Sequence, residues 1–246
     1  MNVVCFDAFV VGNHEFNNGD QGLVTFLDYL NEGNCQTPVL GANVQPEVGI
    51  SPLAKSSRDD YIQPYTIVER NGEKIGIIGI VISKKTKMSS NPDDNTMFLD
   101  EVSTAQKYTD ELNSQGVDRV ILLSHFGYEN DLALAQKTSG IDIIVGGDSH
   151  SLLGDLSDLG LKPSGSYPTM VNDASGNDVC VVTAWEYSQI VGELHAEFDG
   201  QGNITSCMGT PHMMLADSFK RKNADGERVE IEEGYRDAVY LSLIHI

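Results

Sequence analysis

Three short segments of this 246-residue chain carry the side chains best suited to chemistry. They are Gly12-Asn13-His14-Glu15-Phe16, Ser124-His125-Phe126-Gly127 and Gly146-Gly147-Asp148-Ser149-His150. Together they offer an amide oxygen (Asn13), three imidazoles (His14, His125, His150) and a carboxylate (Asp148). A mixed nitrogen and oxygen set of this kind suits Zn2+, Mn2+ or Fe rather than Ca2+, which prefers oxygen alone. A lone histidine is more often a structural or surface residue than a ligand. Here three of the six histidines fall one to each segment, and that repetition weakens the bland reading.

Each segment follows directly on a run of apolar and β-branched residues. Phe6–Val11 leads into the first, Arg119–Ser124 into the second and Ile141–Gly146 into the third. Polar clusters at the carboxyl ends of strands converge on one sheet edge, where α/β folds hold their ligands. Further strands are predicted at Val39–Asn43, Tyr65–Arg70, Lys74–Val81, Thr169–Asn172, Val179–Ala184 and Ile190–Asp199. Helices are predicted at Asp20–Asn31, Glu101–Gln115 and Asn130–Ser139. Asn71-Gly72 reads as a two-residue type I′ hairpin turn, which needs positive φ at both positions. Gly116 reads as the cap that ends the second helix. Hairpins mixed with βαβ units predict an α/β sandwich with mixed sheets. Asp7 and Asp142, near strand starts, read as structural, and Tyr61, Tyr65, Tyr167, Trp185 and Tyr187 as packing residues.

In order and spacing the three segments resemble successive motifs of the 5′-nucleotidase branch of the calcineurin-like metallophosphoesterases, from about Val3 to about Gly202. The stretch Gly147-Asp148-Ser149-His150-Ser151-Leu152-Leu153-Gly154-Asp155 is similar to bacterial secreted nucleotidases, including NAD-degrading and AMP-hydrolysing kinds. The resemblance implies a four-layer α/β/β/α sandwich with two mixed sheets, incomplete at the N-terminus. It implies two divalent metal ions, Zn2+ or Mn2+, with Mg2+ or Fe also compatible. By the same resemblance Asn13, His125 and Asp148 serve one metal and His150 the other. His14 would stabilise the transition state or protonate the leaving alkoxide, with Asn17 beside it. Asp148 stands where relatives often carry histidine. Asn17 stands where this branch usually carries aspartate, and an amide can hold a ring but cannot stabilise an imidazolium by charge. The implied reaction is two-metal hydrolysis of a phosphate ester, with a small nucleotide as substrate.

The family's opening Asp-x-His and Gly-Asp motifs have no counterpart ahead of Gly12, so a fragment is expected. Residues 1–205 read as a metallophosphoesterase domain truncated at its N-terminus. Residues 206–240 read as a connector toward a C-terminal nucleotidase domain in cis that the chain lacks. Leu241-Ser242-Leu243-Ile244-His245-Ile246 is what a transposon-based sequencing adapter encodes when read in frame. Alone, such a fragment is expected to bind metal weakly and to turn over poorly. No signal peptide is visible, yet the resemblance implies a periplasmic or secreted parent protein.

Thirty-six acidic against sixteen basic residues give a net charge of −20, which argues against a nucleic-acid polymer or an anionic membrane as partner. There is no run of about 18 apolar residues, so no membrane span is predicted. The scattered Cys5, Cys35, Cys180 and Cys207 read as buried free thiols or at most one disulfide. No glycine-rich segment fits a nucleotide-binding loop. The motifs present serve a cyclic-nucleotide phosphodiesterase or a nucleotide-sugar or NAD pyrophosphate hydrolase equally well. A non-catalytic binding descendant is the alternative from a different class.

Overall fold

A computed structural model describes residues 4–214, 220–222 and 228–230. The strands are β1 (Phe9–Val10), β2 (Val39–Leu40), β3 (Val44–Pro46), β4 (Tyr65–Arg70), β5 (Glu73–Val81) and β6 (Thr96–Phe98). They continue with β7 (Val120–His125), β8 (Ile143–Gly146), β9 (Thr169–Asn172), β10 (Asp178–Thr183), β11 (Ile190–Phe198) and β12 (Ile204–Met213). The helices are α1 (Gly19–Asn31), α2 (Ser83–Ser89), α3 (Glu101–Ser114) and α4 (Tyr128–Ala135). A last short antiparallel pair joins Lys220–Lys222 to Arg228–Glu230.

The main sheet has six strands in the order β4-β5-β7-β8-β10-β9. Its inner strands β5, β7, β8 and β10 run parallel, and β4 and β9 close the edges antiparallel. Parallel strands covered on both faces need nearly continuous apolar runs, and Ile75–Val81 and Val179–Val182 supply them. Their register aligns the carboxyl ends: Val81 faces His125, Ser124 faces Gly146, and Gly146 faces Thr183. The polar segments after these strands therefore leave from one edge.

Two of the three buried apolar clusters among the described residues hold this frame. Ile78, Ile80, Val120, Leu122, Ile144 and Val181 of the sheet pack with Leu112 of α3 and Leu134 of α4. Leu23, Leu27 and Leu30 of α1 pack with Val11, Phe16, Val39 and Val81 around the short parallel pair β1–β2. The α/β class with mixed sheets is as expected. Beside the main sheet, the described residues form the small pairs β1–β2, β3–β6 and β11–β12.

The turn chemistry matches the residues. Asn71 and Gly72 take φ of 53° and 84° between the paired Arg70 and Glu73, as a type I′ turn requires. Gly116, at φ 75°, ends α3 with paired bonds from Val117 N to Leu112 O and from Gly116 N to Asn113 O. At the other end of α3 the Asp100 carboxylate accepts from Ser103 N at 2.8 Å.

Four expectations are corrected. The cysteines are not free thiols with at most one bridge: Cys5 pairs with Cys35 and Cys180 with Cys207, at Cα separations of 5.0 and 6.5 Å. Topology, not spacing, brings them together, because β10 and β12 touch. The expected strand Phe6–Val11 shortens to Phe9–Val10, since it pairs only along Val39–Leu40. The polar stretch from 206 does not begin as a connector. Residues 204–213 form β12, paired along β11 from Phe198 to Ile190, so the boundary placed at 205 falls inside a strand. Tyr187 is not packed in a core: it is 78% exposed in the loop after β10.

Asp142 is structural, as expected, and accepts from Val120 N at 2.7 Å. Burial pushes its carboxyl up to about 7, and burial does the same to Asp131. Both groups hold a proton more tightly folded than unfolded. Their contribution is complete below the usual value of 3.8 and is lost as pH rises toward 7. Relative to the parent, Asp142→Asn is therefore expected to be more stable at pH 8 than at pH 5. Urea unfolding at the two pH values checks this, and an offset independent of pH would contradict it.

Candidate functional site

The chain leaves β1 through Gly12 and turns at once into a 3-10 turn over His14–Phe16. Gly12 N donates to Glu15 Oε2 at 2.6 Å, which closes the turn. A side chain at Gly12 would bring its Cβ within 2.9 Å of the His125 ring, so the glycine admits that ring against the backbone. Asn13 is buried, and its amide nitrogen donates to Ser89 Oγ at 3.3 Å. Its oxygen points the other way and meets His125 Nε2 at 2.9 Å.

His125 ends β7, and its Nε2 also lies 3.4 Å from Asp148 Oδ1. Burial is the largest influence on its ring and pulls the pKa below the ordinary value; Asp148 and Glu15 oppose this, while Lys85 and His14 reinforce it. Neutral imidazole is the form that ligates a metal. Asn13 Oδ1, His125 Nε2 and Asp148 Oδ1 thus form one cluster. Two ligands at about 2.1 Å from a common ion in cis stand about 3 Å apart, so the Asn13–His125 spacing fits one divalent cation.

His14 sits beside this cluster, exposed, with Asn17 Nδ2 3.0 Å and Asn17 Oδ1 3.3 Å from its Nδ1. His150 has a different environment: Glu186 Oε2 lies 2.8 Å from its Nδ1, and the Tyr187 ring stands edge-on 5.5 Å away. A carboxylate on one imidazole nitrogen orients the ring and leaves the other nitrogen free for an ion. Among the described residues, no group of three or more His, Cys, Asp or Glu side chains is arranged to hold a metal. The structure thus joins Asn13, His125 and Asp148, with His14 and Asn17 alongside, and sets His150 apart beside Glu186.

Strain marks the same edge. Asp148 and His150 take φ of 69° and 50°, and Trp185, Tyr187 and Ser188 take 60°, 51° and 57°. Left-handed residues other than glycine cost about 1–3 kcal/mol each, and they gather where a site fixes its geometry. Behind the edge, Asp131 of α4 accepts from Ser124 Oγ at 2.5 Å, and among the described residues its buried Oδ2 meets no hydrogen-bond partner.

Glu15, Lys85, Ser89, Glu186 and Tyr187 escape the sequence reading, although a signal for two of them exists. Like β7 and β8, strands β5 and β10 end on this edge, and the polar segments that follow them, Ser83–Ser89 and 184–188, contain Lys85 and Glu186.

No family model matches the sequence. A "Probable 5′-nucleotidase" of Treponema pallidum is 44% identical over 99% of the chain, which spans 40% of that relative. The solved NAD nucleotidase of Haemophilus influenzae superposes with a TM-score of 0.83 at 36% identity, over 100% of this chain and 47% of that one. A calcineurin-like phosphoesterase of Bacillus subtilis, at 23% identity and a TM-score of 0.64, shares the fold. The fold is that of the calcineurin-like phosphoesterases, a class that implies divalent metal ions. Within that class, the chain belongs to the 5′-nucleotidase branch. It spans less than half the length of the two nucleotidases it is most usefully compared with.

Proposed function

We propose that this chain supplies the metal-binding part of a phosphomonoester hydrolase that releases phosphate from nucleotides. The observation that supports this most is the convergence of Asn13 Oδ1, His125 Nε2 and Asp148 Oδ1 at one edge, with His14 alongside. Asn13, His125 and Asp148 would hold one divalent ion and His150 the other. Zn2+ or Mn2+ suits the nitrogen and oxygen donors, and the Asp148 carboxylate also admits Mg2+ or Fe. Such ions polarise a phosphate ester and neutralise charge on its oxygens. The chain's own part in the reaction lies with His14. Asn17 Nδ2 and Oδ1 lie 3.0 and 3.3 Å from His14 Nδ1, so the amide can donate to a bare Nδ1 or accept from a protonated one and orients the ring either way. As an imidazolium, the ring would hand a proton toward a leaving oxygen and end as neutral imidazole.

Asn17 holds the ring without a charge. Asn17→Asp is expected to raise kcat about tenfold, the scale of a partner's effect on the group it orients. An unchanged or lower rate in steady-state assays would count against the role given to His14.

The parent protein is inferred to be periplasmic or secreted. Two disulfides suit an oxidising compartment, and no helix among the described residues is long and apolar enough to cross a membrane. The domain is inferred to run through Met213, where β12 ends, with a substrate domain following in cis. A second reading, cleavage of NAD at its pyrophosphate, is favoured by the NAD nucleotidase likeness. Hydrolysis of AMP, NAD, UDP-glucose and 2′,3′-cyclic AMP by the gene product that carries this chain tests both readings. Phosphate from AMP, lost on chelation and restored by Mn2+ or Zn2+, is the expected result. Turnover of none of the four would sink the proposal.

A further inference from the structure

Asp148 has a second partner besides the imidazole. Lys85 places its ammonium on Asp148 Oδ1, the same oxygen that lies 3.4 Å from His125 Nε2. The carboxylate side chain is only 10% exposed, whereas the lysine reaches it from the solvent side at 43%. Both ends of this contact are fixed. Lys85 belongs to α2, whose Ser89 receives the Asn13 amide and donates back to Lys85 O at 2.8 Å. Asp148 is set by its left-handed backbone. One short helix therefore touches two of the three clustered donors, the first through a neutral hydroxyl and the second through a cation.

A carboxylate this far withdrawn from water needs a positive partner. Lys85 supplies one charge where a divalent ion would supply two, and an ammonium and a metal on the same oxygen repel each other strongly. We propose that Lys85 is a built-in counter-ion that holds Asp148 in its ligating position and is displaced when a divalent cation binds. This rests on the metal-binding reading given above. It makes Lys85 a positioning residue with two opposed effects: it stabilises the metal-free site and weakens the affinity of that site for metal.

The test is a titration of the chain with Mn2+ alone, followed by the loss of the free-ion EPR signal. Thermal unfolding in the absence of metal is measured alongside. Lys85→Met is expected to bind Mn2+ about threefold or more tightly than the parent, while its metal-free form unfolds at a lower temperature. Lys85→Arg, which keeps the charge, is expected to stay with the parent in both. Lys85→Met binding Mn2+ no more tightly, or binding none through the millimolar range, would overturn the proposal. His125→Ala in the same titration separates the two claims. If it binds Mn2+ as the parent does, the metal reading itself fails. If it loses Mn2+ while Lys85→Met gains nothing, only the counter-ion role fails.

Discussion

His125→Ala is expected to slow phosphate release by at least about a hundredfold, since losing merely the partner of a ligand already costs 10–100-fold. Its Nε2 lies 2.9 Å from Asn13 Oδ1 and 3.4 Å from Asp148 Oδ1, so it is the atom the other two share. Removing the ring also leaves a void against Gly12, whose backbone is bare because the ring packs there. The loss should appear in kcat and in metal affinity together. Unfolding by urea should change far less, because the side chain lies at the sheet edge outside both cores. A variant with intact turnover would remove the shared ligand on which the proposed function depends. His125→Gln, which keeps a polar group of similar reach, is expected to recover part of the affinity and little of the rate.

Opening the Cys180–Cys207 bridge is expected to cost about 3.5 kcal/mol, the chain-entropy value for a loop of about 27 residues. Cys180 is fully buried in β10, and Cys207 lies on β12, so the bridge ties the β11–β12 ribbon to the main sheet. The Cys5–Cys35 bridge closes a loop of similar length, 30 residues, and joins an exposed Cys5 to the residue after α1 and its turn. Loop entropy alone would make the two losses nearly equal. Packing makes the first larger, because Cys180→Ala also vacates a buried position. Urea unfolding of Cys180→Ala/Cys207→Ala and of Cys5→Ala/Cys35→Ala, both under oxidising conditions, measures the difference. Equal small losses for both would show that the bridges do not form or do not constrain the chain.

Much of this architecture is legible in the residues, and the failures have physical causes. Tyr65–Arg70 and Thr169–Asn172 match the predicted strands residue for residue, because β-branched residues and flanking Pro, Asn or Asp agree there. Asn71-Gly72 and Gly116 announce their turns, since few other residues accept those dihedrals. Helix α2 was invisible: Ser83-Lys84-Lys85-Thr86-Lys87-Met88-Ser89 buries only Thr86, so it carries no apolar stripe. Strand β12 was hidden for a related reason. It forms half of a two-stranded ribbon, carries Gly209 and Pro211, and buries only Met213. The strand ends point to the segments that carry Asn13, His125 and Asp148, and the family resemblance groups those three at one metal. Lys85 and Glu186 lie at the ends of strands whose following residues look like ordinary polar loops. The cysteine pairing could not be read, because residues 27 and 30 apart become neighbours only once the strands are ordered.

The most direct test of the central claim is to grow crystals of the chain with Zn2+ and measure the anomalous signal at the zinc edge. The expected result is a peak at about 2.0–2.2 Å from Asn13 Oδ1, His125 Nε2 and an oxygen of Asp148, with the Lys85 ammonium moved off that carboxylate. A peak seated elsewhere, or a cluster still closed by Lys85 with no metal at Asn13 and His125, would contradict it.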